Sequence, residues 1–226
     1  MQISPAMEDY LMAIYRSQTV GDRVSTSQIA RRLSVTAAST TAMFKRLAEE
    51  GLVEYHEYSG VSLTPRGEGL AANLVRRHRL AERFLTDVLG ISLDQVDAMA
   101  DRMEHALPPE VIDRFDTILQ EPYTCPHGQP IPDKAGVLPA LRYSPLAELK
   151  AGEEAIIARI EEGDPELLRY LVEQGLVPGT RVRVVERHPV DDLVTLELGG
   201  ARLVVGQRVV KALAVGDVPA PRSPKL

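Results

Sequence analysis

At 226 residues, with 44% hydrophobic and 26% charged side chains, the chain is long enough for two or three compact units and has an ordinary globular composition. No apolar run approaches the ~20 residues that span a bilayer. The start is acidic where a secretory signal would be basic, and the lone Cys125 excludes an intrachain disulfide and a thiolate cluster, so a cytoplasmic protein with no membrane partner is expected. The net charge of −6 speaks against nucleic acid only on average: residues 1–77 hold nine Lys/Arg against eight Asp/Glu, and the acid excess falls on the rest of the chain.

Met7, Leu11, Ile14 and Tyr15 recur at helical intervals and predict a first helix over 7–18. Ser25 and Ser27 offer caps for a short second helix, and Thr36 caps a third that runs to about Glu50, where Gly51 stops it. Three short helices with a tight turn at Ser34-Val35 make a helix-turn-helix. The stretch GLVEYHEYSGVSLTP then alternates apolar and polar residues around Ser59-Gly60, as a two-stranded hairpin does, and Thr64-Pro65 opens another helix. A hairpin after the recognition helix predicts a winged helix over 1–73. On its third helix Thr36, Ala38, Ser39, Thr41, Lys45 and Arg46 form the outward side, with Ser27, Arg31 and Arg32 placed beside it. Small hydroxyl and methyl groups suit thymine methyls and DNA shape, the basic residues suit phosphate, and the wing tip Tyr58-Ser59-Gly60 is expected to approach a neighbouring groove.

A long helix is expected from Pro65 to about Ile91, followed by helices from Leu93 to about Ala106 and from Pro109 to about Gln120, giving a helical domain over 74–121. Proline-rich residues 122–145 read as an extended connector. Residues 146–216 read as a β-rich domain with one helix at 165–174, strands at 181–188, 193–198 and 201–205, and a Gly199-Gly200 turn; 217–226 read as a disordered tail.

Asp97, Asp101, Glu104 and His105 fall at i, i+4, i+7 and i+8 and predict one metal-capable face on the 93–106 helix, opposite Val96, Met99, Ala100, Met103 and Leu107. Three carboxylates without an intervening cation repel one another, and a divalent ion relieves that repulsion. His78 and Glu82, at i and i+4 on the preceding helix, have the spacing at which an imidazole and a carboxylate reach one ion. Cys125-Pro126-His127 looks like a ligand pair but is read as shaping a loop. These residues leave three readings open: a metal-activated DNA-binding regulator, a metallohydrolase and a metal-independent winged-helix regulator with a structural acidic stripe. No nucleophile or oxyanion donor stands out for a hydrolase, so no enzymatic activity is expected.

MEDYLMAIY, QIARRLSVTAASTTAMFKRLAEEGLVEY, SGVSLTPRG, RRHRLAERFL, the MEHAL around Glu104-His105 and CPHGQPIP together resemble the diphtheria-toxin-repressor family of iron- and manganese-dependent regulators. The resemblance implies a mainly α protein with small β: an N-terminal winged helix-turn-helix, a helical metal-binding dimerisation domain and a C-terminal SH3-like β-barrel. It implies a homodimer on palindromic double-stranded operator DNA, probing Mn²⁺ with Fe²⁺ as the alternative and repressing metal-uptake genes. Its primary ligands fall on Asp9, Asp101, Glu104 and His105; its ancillary ligands fall on His78, Glu82 and Asp97, with Asp164 and Glu166 as the matching positions in the C-terminal domain. Iron-type members carry Met and Cys where this chain has Asp9 and Asp101, and His where it has Asp97. Hard oxygens in their place favour Mn²⁺. The manganese branch carries Glu at the positions of Met12 and Asp101, so this chain departs from its pattern as well.

Overall fold

The computed structural model describes residues 3–18, 23–161, 164–188 and 190–218. The chain divides into two compact units, one made of residues 1–78 and 132–138, the other of 79–131 and 139–226. The expected tail from residue 219 onward lies outside the described residues.

The first unit opens with α1 (Pro5–Ser17), whose N-cap Ser4 accepts from the Met7 amide while Pro5 takes the first helical position, where a missing N–H costs nothing. Helices α2 (Thr26–Arg32) and α3 (Ala37–Glu49) are capped by Ser25 and Thr36, as their sequence predicts. Strands β1 (Val53–His56) and β2 (Gly60–Leu63) pair antiparallel from Val53↔Leu63 to His56↔Gly60, and Val24 bridges to Val61 on the far side. The core gathers Leu11, Ile14, Ile29, Phe44, Leu47, Leu52 and Val61, with Phe44 packed between the rings of Tyr10 and Tyr55. Met12, where the manganese branch has a Glu, is a core residue here at 5% exposure. Helix α4 (Pro65–Asp87) begins against this core: a Cβ on Gly67 would lie 1.9 Å from the Leu52 carbonyl oxygen, so only glycine admits the approach. Arg76 donates to the Pro132 carbonyl oxygen at 2.9 Å and ties residues 132–138 to this unit.

In the second unit, α5 (Leu93–Glu104) and α6 (Pro109–Ile118) accompany the end of α4. Ala81, Leu85, Val96 and Ala100 form one apolar cluster; Leu80, Ile112, Phe115, Leu119, Cys125 and Ile131 form another, beside which the rings of Phe84 and Phe115 stack at 4.1 Å. The C-terminal domain is built on six antiparallel strands in the order β3 (Tyr143–Pro145), β8 (Leu213–Gly216), β4 (Glu154–Ile160), β5 (Arg181–His188), β6 (Leu193–Leu198), β7 (Ala201–Val205), in keeping with the expected SH3-like fold. Helix α7 (Pro165–Glu173) contributes Leu171 to its core, and α8 (Gln207–Ala212) leads into β8. Sequence reading gave no strand for β3, β4 or β8 and no helix for α8. Strand β8 is short and enters the sheet between β3 and β4, so its partners come from distant parts of the chain.

Candidate metal centres and nucleic-acid interface

On the first unit, α3 exposes Ala38, Ser39, Lys45 and Arg46, and leaves Thr41 half-buried. Thr36 is exposed but engaged: its Oγ1 accepts from the Ser39 amide at 3.1 Å and donates to Ser39 Oγ at 3.0 Å, so its first task is to hold the helix start. Ser27 is exposed, with its Oγ 3.2 Å from that of Ser25, and Arg31 and Arg32 are exposed on α2. Ala37 and Ala42, which sequence reasoning passed over, are exposed as well, so the outward side of α3 is lined by side chains short enough to let a base edge approach the backbone. Asp9 is half-buried on α1; its neighbour Glu8 is held by Arg77 at 2.9 Å.

In the second unit, α5 divides the acidic face that its periodicity predicts. Asp101 is exposed and Asp97 half-buried, whereas Glu104 shares the buried row with Val96 and Ala100 at only 1% exposure. The helix ends at Glu104, leaving half-buried His105 as its C-cap with Nε2 3.6 Å from Glu104 Oε1. A carboxylate taken this far out of water is costly without compensating charge or hydrogen bonds.

His78 and Glu82 are both fully buried on α4. Glu82 gathers with Cys125 and His127, their ligand-capable atoms all lying within 4.8 Å of one another. His127 Nδ1 stands 2.9 Å from Glu82 Oε1, and Nε2 donates at 2.9 Å to the Leu93 carbonyl oxygen. That second bond fixes the ring and leaves Nδ1 as the atom facing the cluster. Burial lowers the His127 pKa, but hydrogen bonds to Cys125 and Glu82 outweigh it and the ring is pushed up to about 11. The imidazolium supplies the positive charge that a buried thiol and carboxylate attract.

Strand β4 holds this loop in place. Ile160 N–H donates to the His127 carbonyl oxygen at 2.9 Å, Gln129 Nε2 to that of Ile160 at 3.1 Å, and Tyr143 Oη to that of Gly128 at 3.0 Å. Gly128 sits at φ +83°, where its missing Cβ would lie 1.9 Å from the Ala158 carbonyl oxygen. Cys125 and His127, read from the sequence as shaping a loop, are brought beside Glu82 by this turn.

Asp164 and Glu166 lie at the start of α7. Asp164 is the N-cap of α7, accepting from the Leu167 amide, and both carboxylates face Arg208 at the surface. The Arg208 hydrogen bond, helped by the Leu167 amide, holds the Asp164 carboxyl below its ordinary range. Among the described residues neither joins a group of three ligand-capable side chains.

Three family models match in succession: iron dependent repressor, N-terminal DNA binding domain, over residues 2–61; iron dependent repressor, metal binding and dimerisation domain, over 64–133; and the FeoA domain over 144–216. The iron-dependent repressor IdeR of Mycobacterium tuberculosis is 34% identical over 189 residues, covering 78% of this chain and 82% of that protein. The chain belongs to the iron-dependent repressor family. The diphtheria toxin repressor of Corynebacterium diphtheriae is 30% identical over 203 residues, covering 85% of this chain and 88% of the relative. Among solved structures, a manganese-dependent transcriptional repressor in complex with manganese is similar over 94% of this chain and 100% of its own, at 33% identity and a TM-score of 0.85. For a member of this repressor family the three domains thus follow in the order DNA-binding, metal-binding and dimerisation, FeoA. No helix among the described residues is long and apolar enough to cross a membrane.

Proposed function

We propose that this protein is a metal-dependent transcriptional repressor that binds palindromic operator DNA as a homodimer, with Mn²⁺ as its activating ion and Fe²⁺ as the alternative. The observation that carries the reading is the pairing, in one chain of this family, of a winged helix whose α3 exposes small and basic side chains with buried or half-buried carboxylates and imidazoles on α4, α5 and the connector. Thr36, Ala38, Ser39 and Thr41 read the major groove; Ser27, Lys45 and Arg46 hold phosphate.

Asp9, Asp101, Glu104 and His105 are the activating ligand set. The donors are oxygen and imidazole nitrogen, which suits Mn²⁺ better than sulfur-bearing sets do. A bound divalent cation supplies the charge that lets these carboxylates converge. Asp9 is carried by α1, and Glu104 and His105 lie at the end of α5. His78 and Asp97 are ancillary ligands. Glu82, Cys125 and His127 form a further centre in which the thiolate favours a softer ion such as Zn²⁺ or Fe²⁺. Asp164 and Glu166 remain ancillary ligands only if Arg208 releases them.

Operator binding by fluorescence anisotropy, under Mn²⁺, Fe²⁺, Co²⁺ and Zn²⁺ in turn, tests the proposal. Glu104→Ala and His105→Ala should each lose metal-dependent binding by more than tenfold at the wild-type activation midpoint with the fold intact by circular dichroism. Cys125→Ser should weaken Zn²⁺ uptake more than Mn²⁺ uptake in calorimetry. A Glu104→Ala variant that still responds to Mn²⁺ at wild-type levels refutes the ligand assignment.

A further inference from the structure

The wing of this winged helix offers no Lys or Arg to phosphate. Between Val53 and Leu63 it carries Glu54, His56 and Glu57 but no Lys or Arg. At its tip, Tyr58 is 99% exposed and holds a left-handed backbone at φ +67°. A bulky residue seldom adopts that region, which glycine would occupy without strain, and an aromatic ring wholly in water gains nothing from burial. Both costs fall on the same residue. The turn beneath it is firmly built: Ser59 N–H donates to the His56 carbonyl oxygen at 3.0 Å, and a Cβ on Gly60 would lie 2.5 Å from the Val24 carbonyl oxygen. Val24 and Val61 exchange hydrogen bonds of 2.8 and 2.9 Å just below. The hairpin therefore presents one ring on a stiff support, away from every buried cluster of its unit.

We propose that Tyr58 is a DNA-contacting, specificity-determining residue that packs its ring against the sugar wall of the minor groove flanking the bases read by α3. This rests on the operator-binding reading above. An uncharged ring is the contact that fits here, because the neighbouring Glu57 carboxylate repels a closely approached phosphate. Contacts of this kind sense groove width and not base identity. They also release no counterions, so losing one lowers affinity without changing its salt dependence.

The test uses the full-length, Mn²⁺-loaded protein and a duplex that the wild type enriches from a random-sequence pool. Failure of the wild type to enrich any duplex, with any of the four metals, would refute operator binding itself, whereas the variants judge the role of Tyr58. Tyr58→Ala should weaken binding at least threefold with the slope of log affinity against log salt unchanged, and Tyr58→Phe should bind within threefold of wild type. Tyr58→Gly should weaken binding as much as Tyr58→Ala while raising the unfolding midpoint, since glycine relieves the left-handed strain; a merely structural role for the ring would lower that midpoint. Binding of Tyr58→Ala or Tyr58→Gly within threefold of wild type, loss in Tyr58→Phe, or a slope changed by a full phosphate equivalent overturns the proposal.

Discussion

Removing the His127 imidazole should cost the metal-free protein about 3–4 kcal/mol at pH 6.5. The ring is 1% exposed and spans Glu82 Oε1 and the Leu93 carbonyl oxygen, each at 2.9 Å. In His127→Ala, fully buried Glu82 loses the imidazolium 2.9 Å from its Oε1. It keeps its charge among its remaining contacts or takes up a proton, and the cheaper course sets the penalty. Protonating a carboxyl of ordinary pKa about 4.3 at pH 6.5 costs about 3 kcal/mol, which lies at the lower edge of the ~3–5 kcal/mol typical of breaking one half of a buried ion pair. The Leu93 carbonyl adds about 1 kcal/mol. The pH dependence has a defined sign. A Glu82 carboxyl raised in the variant loses stability as pH increases, so the gap to wild type opens above about pH 4.3. In the wild type the raised His127 stabilises fully below its unfolded value of 6.5, and that stabilisation fades as pH climbs towards about 11, so the gap closes again in alkali. Urea unfolding of metal-stripped proteins, followed by circular dichroism, measures both limbs. The variant Glu82→Met/His127→Ala, which also removes the buried carboxylate, should be more stable than His127→Ala alone. A loss under about 1 kcal/mol, or a double variant no more stable than the single, refutes this account of the ring.

Gly128→Ala should destabilise the second unit by about 2 kcal/mol or more, because its Cβ would meet backbone at Ala158 and the residue sits at φ +83°; an unchanged thermal midpoint would show that the loop can move off β4. Asp164→Asn keeps a good N-cap and removes only the charge facing Arg208. Because the folded Asp164 carboxyl lies below its unfolded value of 3.8, the wild-type advantage should be present above that pH and vanish as pH falls further. A difference that persisted in strong acid would mean the carboxylate acts through its shape.

Local signals were legible wherever the cause of structure is local. Ser25 and Thr36 cap their helices, Gly60 ends the wing turn, and strands β5, β6 and β7 run where alternation puts them, because each outcome depends on residues within a few positions. Periodicity was less decisive at α5. Glu104 lies at the edge of both faces, seven residues from Asp97 but also four from Ala100 and eight from Val96, and packing placed it in the buried row. Spacing alone cannot say which face a boundary residue joins.

The Glu82, Cys125 and His127 centre was illegible for a different reason. Its residues come from α4 and a turn far along the chain, and composition marked that turn as a spacer. Yet the residues that give the spacer signature are the ones that allow burial here. Pro126 brings no N–H needing a partner into a segment where residues 125–128 are all buried, and Gly128 presents no Cβ to the Ala158 carbonyl oxygen. A proline- and glycine-rich stretch can be loose or can be packed more tightly than any other, and a ligand-capable pair between such residues tips the reading toward the second. What composition cannot supply is the third ligand. That requires a buried acid on another element, and the uninterrupted burial from Leu80 to Glu82 on α4 is the feature that identifies it.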